Sequence, residues 1–411
     1  MKPRPNYMAV WKELAADKSM VFISGPRQVG KTTLAKSISQ DFANHIYFNW
    51  DIPSDRTQLI ENPAFFEALE RKDPSLPLVV FDEIHKYRDW KNYLKGTYDR
   101  FYDQFRFLVT GSGRLDTYQK GGDSLAGRYY LFHLWPFTIG EISGQNRKWQ
   151  AFADNPLECQ IRENKTLKAS WDHLATYSGF PEPFLTAKPK TWQRWSNTYG
   201  QRLIREDIRD LTQIRSIGDM ETLFYLLPSK IGSPISITSL ARNLKLSYNT
   251  VRDWLGVFER FFMTFSIGPW TARISRAIQK ERKIYLWDSP RIQERAARLE
   301  NMVALELYRA ITLWNDVGYG RFSLHFIKNK EQQEVDFLIA ESNTPKLLIE
   351  AKASETQPSP ALLKFQRALN IPAIQLFNQD GGFRLFSNDH QNILEVPAGQ
   401  WPATLPWYGW V

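Results

Sequence analysis

The chain has 411 residues, 43% hydrophobic and 24% charged, enough for two to four domains with ample core. Its 53 Lys and Arg against 44 Asp and Glu give a formal net charge of +9, which suits a polyanionic partner such as nucleic acid and equally suits plain solubility. A single cysteine, Cys159, excludes an intramolecular disulfide and a cysteine-based zinc site, and no apolar run approaches the ~18 residues that a membrane span needs. Met1-Lys-Pro-Arg-Pro-Asn has no apolar stretch behind it, so a cytoplasmic protein with no membrane partner is expected.

A short helix over residues 7–16 leads to the buried strand Met20-Val-Phe-Ile-Ser24 and then to Gly25-Pro26-Arg27-Gln28-Val29-Gly30-Lys31-Thr32-Thr33. This run fits G-x-x-x-x-G-K-[ST] at every fixed position and opens a helix in which Leu34 and Ile38 have helical spacing. The chemistry explains the spacing. Gly25 and Gly30 let the backbone N–H groups of residues 25–33 turn inward onto phosphate oxygens, and the helix N-terminus faces them. Lys31 neutralises phosphate charge and the Thr32 hydroxyl is placed to ligate Mg²⁺, so ATP with Mg²⁺ is the expected ligand.

A second strand over residues 45–51 and helical stretches over 54–61 and 64–72 precede Leu78-Val-Val-Phe-Asp82-Glu83. An apolar strand ending in adjacent acids, about fifty residues after a P-loop, is what a Walker B element needs. Asp82 would hold the Mg²⁺ hydration shell opposite Thr32, and Glu83 would orient and deprotonate the attacking water. The next strand ends at Thr110 and leaves through Gly111-Ser112-Gly113-Arg114. Thr110 or Ser112 reads either as a sensor of nucleotide state or as part of an ordinary glycine-rich turn.

GPRQVGKTTL, VVFDE, FLVTGSGR, SLAGRYYLFHLWPFTIGEI and YSGFPEPF together resemble the AAA-type ATPase domain of a widespread prokaryotic family. Members of that family join this domain to a C-terminal domain of unknown function, and the resemblance covers nearly the whole chain. It implies a homo-oligomer in which Arg128 reaches a neighbour's nucleotide as an arginine finger or senses its own γ-phosphate. Arg114 is a second candidate, and an ordinary structural salt bridge is the other reading of Arg128.

Residues 145–217 turn helical, as expected of a lid on the ATPase core of residues 1–144. In 218–270, Ser239-Leu-Ala-Arg-Asn-Leu-Lys-Leu-Ser247-Tyr-Asn-Thr-Val251-Arg252 resembles a helix-turn-helix. Leu240, Leu244 and Val251 fill its core, Ala241 allows close helix crossing and Ser247 caps the third helix, with residues 262–267 as a wing strand. Tyr248, Asn249 and Arg252 stand at the exposed start of that helix, where DNA bases or phosphates would be met. Asp253 and Glu259 dilute the positive face, and winged helices also dock proteins.

The last region, 271–411, opens with a long helix over 291–314 that carries Glu300. A hairpin follows, and strand period two places Glu334 and Asp336 opposite Val335, Phe337 and Ile339, and Glu350 and Lys352 opposite Ile349 and Ala351. Asp followed about fourteen residues later by Glu-x-Lys, behind a helical Glu, looks like the PD-(D/E)XK nuclease superfamily, with Val335 standing where proline would be. The resemblance implies that Asp336 and Glu350 bind one or two Mg²⁺ or Mn²⁺ ions, that Glu300 adds a ligand, and that Lys352 positions the attacking water. The other reading is a surface ion pair in a domain that binds without cutting.

The expected fold is therefore α/β: a P-loop AAA-type ATPase core, a helical lid, a winged helix-turn-helix and a nuclease-like α/β domain. Two functions follow from it. One is an ATP-driven machine that remodels or processes duplex or branched DNA. The other is a nucleotide-dependent regulatory switch whose inactive nuclease-like domain binds a partner.

Overall fold

Three apolar runs in the first part of the chain become the inner strands of one parallel sheet, as strands covered by helices on both faces require. The computed structural model describes residues 3–112, 125–145, 147–159, 165–209, 216–271, 281–354, 357–378, 383–388 and 391–407. The chain divides into two units, Met1–Trp135 with Arg260–Phe262, and Pro136–Glu259 with Met263–Val411.

In the first unit the strands are β1 (Met20–Ser24), β2 (His45–Asn49), β3 (Leu78–Asp82), β4 (Arg106–Thr110) and β5 (Tyr130–His133), ordered β2-β3-β4-β1-β5. Helices α1 (Pro5–Asp17), α2 (Lys31–Ser39), α3 (Pro53–Glu61) and α4 (Trp90–Phe101) accompany them. The core is aromatic, with Phe22, Phe48, Phe65, Phe66, Phe81 and Phe107 buried together. Parallel register aligns Ile23 with Thr110, Asp82 with Thr110 and Asn49 with Asp82, so the polar strand ends share one edge of the sheet. Open α/β sheets bind ligands at that carboxyl edge.

Residues 64–72 differ from the helix expected of them, since only Phe65–Ala68 forms a 3-10 turn. Phe65 and Phe66 both face the core, and the Lys72 N–H donates to Asn44 Oδ1 (2.6 Å) instead of continuing a helix.

The second unit begins with helices α5 (Ile139–Ser143), α6 (Trp149–Asp154), α7 (Lys165–Tyr177), α8 (Pro181–Thr186) and α9 (Pro189–Arg202). Next come α10 (Ile217–Leu226), α11 (Ile237–Leu244) and α12 (Tyr248–Arg260). Its sheet has eight strands in the order β12-β13-β11-β10-β9-β8-β6-β7. These are β6 (Thr264–Pro269), β7 (Lys283–Leu286), β8 (Phe322–Lys328), β9 (Glu334–Glu341), β10 (Thr344–Lys352), β11 (Ala373–Phe377), β12 (Arg384–Asn388) and β13 (Gln391–Pro397). Ser342 and Asn343, both at positive φ (46° and 70°), make the two-residue turn that joins β9 to β10. Helix α13 (Arg295–Asp316) packs on β7, β8 and β10, and α14 (Pro360–Leu369) on β9, β10 and β13.

The wing strand expected over 262–267 is largely β6 of this sheet, paired with both β7 and β8. Phe265 and Ile267 are buried there, with Phe265 packed on Tyr285, Trp287 and Tyr308.

Helix α13 also buries an acid, Glu306, whose Oε1 accepts the Ile139 N–H (2.6 Å). Burial pushes its carboxyl up to about 7, against the pull of Arg309 and of the Ile139 and Gly140 N–H groups. The folded chain therefore holds this proton more tightly than the unfolded one. Stability is expected to fall by roughly 2–4 kcal/mol as pH rises from the ordinary glutamate value of 4.5 to about 7. Urea unfolding across that range checks this, and Glu306→Gln should flatten the dependence.

Candidate functional site

The loop between β1 and α2 is built by backbone geometry. Gly25 has φ +141°, and a Cβ there would lie 2.1 Å from the Leu134 carbonyl oxygen, so only glycine fits. Gln28 (φ 60°) and Gly30 (φ +97°) continue the curl, Pro26 and Val29 are buried, and Arg27 is half-buried. Arg4 anchors the loop from outside the motif by donating to the carbonyls of Val29 (3.0 Å) and Trp135 (2.7 Å). Lys31 Nζ turns back onto the carbonyls of Gly25 (2.9 Å) and Pro26 (2.7 Å), and Thr32 and Thr33 lie half-buried on the first turn of α2.

Across the sheet edge, Asp82 is fully buried and collects three hydroxyl donors. Thr32 donates at 2.7 Å, and Tyr47 and Thr110 also donate to it. Thr110, one of the two candidate sensors of nucleotide state, is a partner of Asp82. Burial, with the Asp82 charge next, drives the Tyr47 hydroxyl far above its ordinary value, so it remains a donor. No local pattern in the sequence marks Tyr47, because the β2–β3 register brings it there. Tyr47→Phe removes a hydrogen bond to a charged acceptor and is expected to cost about 1–3 kcal/mol in urea unfolding.

Glu83 sits in the left-handed region (φ 57°, ψ 20°), with its N–H on the Thr110 carbonyl (3.0 Å). Its Oε2 lies 3.1 Å from Lys86 Nζ and 3.7 Å from His85 Nε2, and Lys86 also grips Asp51 (2.7 Å). Burial works to lower the Lys86 pKa, but Glu83 and Asp51 outweigh it and raise it. Ser112 Oγ is 3.5 Å from His85 Nε2.

The donor set fits a magnesium-bound nucleotide: a buried carboxylate beside a helix-opening threonine, and an ammonium turned onto the loop carbonyls of Gly25 and Pro26. Arg128 makes a two-point contact with Asp99 (2.6 and 3.0 Å). Arg114 lies outside the described residues.

In the second unit, Ser236 caps α11 and Ser247 caps α12 by accepting the Thr250 N–H (3.0 Å), with Lys245 in the left-handed turn between them. Leu240, Ala241 and Val251 are buried. Tyr248, Asn249 and Arg252 are all exposed at the start of α12, and Arg252 pairs with its neighbour Asp253 (2.9 Å).

The acidic residues of the C-terminal sheet meet a lysine. Lys283 Nζ lies 2.7 Å from Glu334, 3.0 Å from Glu300 and 3.4 Å from Asp336. Glu350 lies farther along, bound by Lys352 (2.6 Å) and by Ser359 Oγ (2.6 Å). Among the described residues no group of three or more His, Cys, Asp or Glu is arranged to hold a metal ion. The expected ligand set of Glu300, Asp336 and Glu350 is therefore not such a group, and Lys283 stands between two of its members, Glu300 and Asp336. Burial works against charge on Lys283, but Asp336, Glu300 and Glu334 outweigh it and hold the ammonium well above its ordinary pKa. Burial and then Asp336 push Glu300 up to about 7, with Lys283 opposing. Alternation in Lys283-Ile-Tyr285-Leu was the available sequence signal, since it puts a cation and a hydroxyl on one strand face.

Comparison with known proteins agrees with the first unit's geometry. Residues 17–143 match the model of an AAA domain family, while 168–290 and 296–398 match two domains of unknown function, DUF8612 and DUF4143. An uncharacterized protein of Mycobacterium tuberculosis is 24% identical over 287 residues, covering 70% of this chain and 58% of the relative. One of Methanocaldococcus jannaschii is 23% identical over 301 residues, covering 65% of this chain and 60% of the relative. The chain thus spans about three-fifths of the length of these relatives. Among solved structures, the Walker-type ATPase of Pyrococcus abyssi is similar at 16% identity and a TM-score of 0.43, covering 71% of this chain and 95% of that one. No helix among the described residues is long and apolar enough to cross a membrane. Residues 17–143 are an AAA-type P-loop ATPase domain, which implies ATP and Mg²⁺ as its ligands.

Proposed function

We propose that the chain is a Mg²⁺-dependent ATP hydrolase, working as a homo-oligomer, that uses turnover to change its grip on DNA. The convergence of Thr32, Tyr47 and Thr110 on the buried Asp82 beside the P-loop carries this reading. Lys31 and the loop N–H groups bind the phosphates, and Thr32 and Asp82 are the residues that would hold Mg²⁺. Mg²⁺ there neutralises charge on the phosphate oxygens. Glu83 orients a water and takes its proton as the water oxygen attacks the γ-phosphorus and the bond to the β–γ bridging oxygen breaks. Arg128 acts on a neighbour's nucleotide only after release from Asp99.

DNA as the partner is supported by the net charge of +9 and by the exposed Tyr248, Asn249 and Arg252. The second reading, a nucleotide-dependent switch that docks a protein, is favoured by the pairing of Arg252 with Asp253. Anisotropy of labelled duplex, branched and single-stranded DNA, with ATP and with ADP, separates the two. Nucleotide-dependent affinity is expected, with a salt slope reduced by about 1 in Arg252→Ala. Indifference of both binding and ATP turnover to every DNA would support the switch.

A further inference from the structure

The Lys283 side chain is 0% exposed, and three carboxylates from two other elements, α13 and β9, meet its ammonium. The cage is fixed on every side. Tyr285 donates to Glu300 Oε1 (2.8 Å), the Ala351 N–H donates to Asp336 Oδ2 (3.0 Å), and Lys328 is 3.4 Å from Glu334. Lys283 Nζ also lies 5.6 Å from the centroid of the Phe326 ring. At its backbone, Lys283 pairs with Ile267 of β6 and bridges to Pro234, so the strand that carries the ammonium is held from both sides.

A magnesium, manganese or calcium ion needs about six or more oxygen ligands at about 2.0–2.6 Å. One oxygen each of Glu300, Glu334 and Asp336 already faces Lys283, while Asp336 Oδ2 accepts the Ala351 N–H and Glu334 Oε2 faces Lys328. We propose that Lys283 is a resident cation standing in place of a divalent metal, and that the C-terminal domain is a metal-independent binding module that does not cut phosphodiester bonds. The chain supplies the counter-charge that such a carboxylate cluster requires, and supplies it permanently. Removing the ammonium uncovers a divalent-cation site made of the same oxygens.

Mn²⁺ binding to the full chain, read by electron paramagnetic resonance without nucleotide, tests this separately from ATP turnover. Wild-type protein is expected to bind no Mn²⁺ that Asp336→Asn removes. Lys283→Gly is expected to bind one Mn²⁺ per chain at least about tenfold tighter than wild type, with the gain lost in the double variant carrying Asp336→Asn. Should Lys283→Gly fail to fold in chelator, its refolding yield in millimolar Mn²⁺ is the readout, and recovery is expected. The proposal is overturned by wild-type Mn²⁺ binding or DNA cleavage that depends on Asp336, by a folded Lys283→Gly chain that binds no Mn²⁺, or by a refolding yield indifferent to the ion.

Discussion

Replacing Glu83 by glutamine is expected to slow ATP turnover by about 10²–10⁴-fold, the usual contribution of a general base, while ATP binding is retained. The amide keeps the size of the side chain and leaves Asp82 with its three hydroxyl donors, so the proposed magnesium and phosphate contacts persist. What it removes is the capacity to accept a proton. The Glu83 carboxylate lies beside Lys86 and His85, whereas Asp82 holds the three hydroxyls, so the proposed proton acceptor and the proposed metal-holding carboxylate have different partners. Single-turnover hydrolysis beside equilibrium binding of a fluorescent ATP analogue measures the two effects. A variant that turns over at the wild-type rate would move the base to another residue.

Lys283→Met should have the largest effect on stability, about 3–5 kcal/mol, because it strips one partner from a buried ionic cluster and leaves the others uncompensated. The pH dependence has a definite sign. Glu300 is already pushed up to about 7 in the presence of Lys283, by burial first and Asp336 second. An acid whose folded pKa is raised contributes least stability once it is ionised, so that contribution falls as pH rises from the ordinary 4.5 through about 7. Without the ammonium, ionising Glu300 beside Asp336 costs more. The deficit of Lys283→Met relative to wild type should therefore be larger at about pH 8 than at about pH 5, which urea unfolding at both values measures.

The sequence made local features legible and left long-range ones hidden. The strand, loop and helix around Gly25 and Lys31 are set by residues adjacent in the chain, and the apolar runs that stop at Asp82 and Thr110 mark their own strand ends. Tyr47 reaches Asp82 only through strand register, and Arg4 reaches Val29 from a helix start with no motif of its own. Lys283 is the sharpest case. Spacing within 300–352 isolates the acids, but the ammonium that Glu300, Glu334 and Asp336 meet comes from β7, outside that window, and it puts an ion-pair cage where three of these acids lie. The stretch expected as a wing likewise had the right strand character, yet its buried Phe265 and Ile267 pair it into the larger sheet.

Steady-state ATP hydrolysis by the full chain, with Mg²⁺ or with chelator, for wild type and Lys31→Ala, tests the central claim most directly. Turnover that requires Mg²⁺ and falls by about 10²–10³-fold or more in Lys31→Ala is expected from loss of one preorganised charge contact to the phosphates. A rate unchanged in Lys31→Ala, or no hydrolysis by wild type with any DNA present, would contradict it.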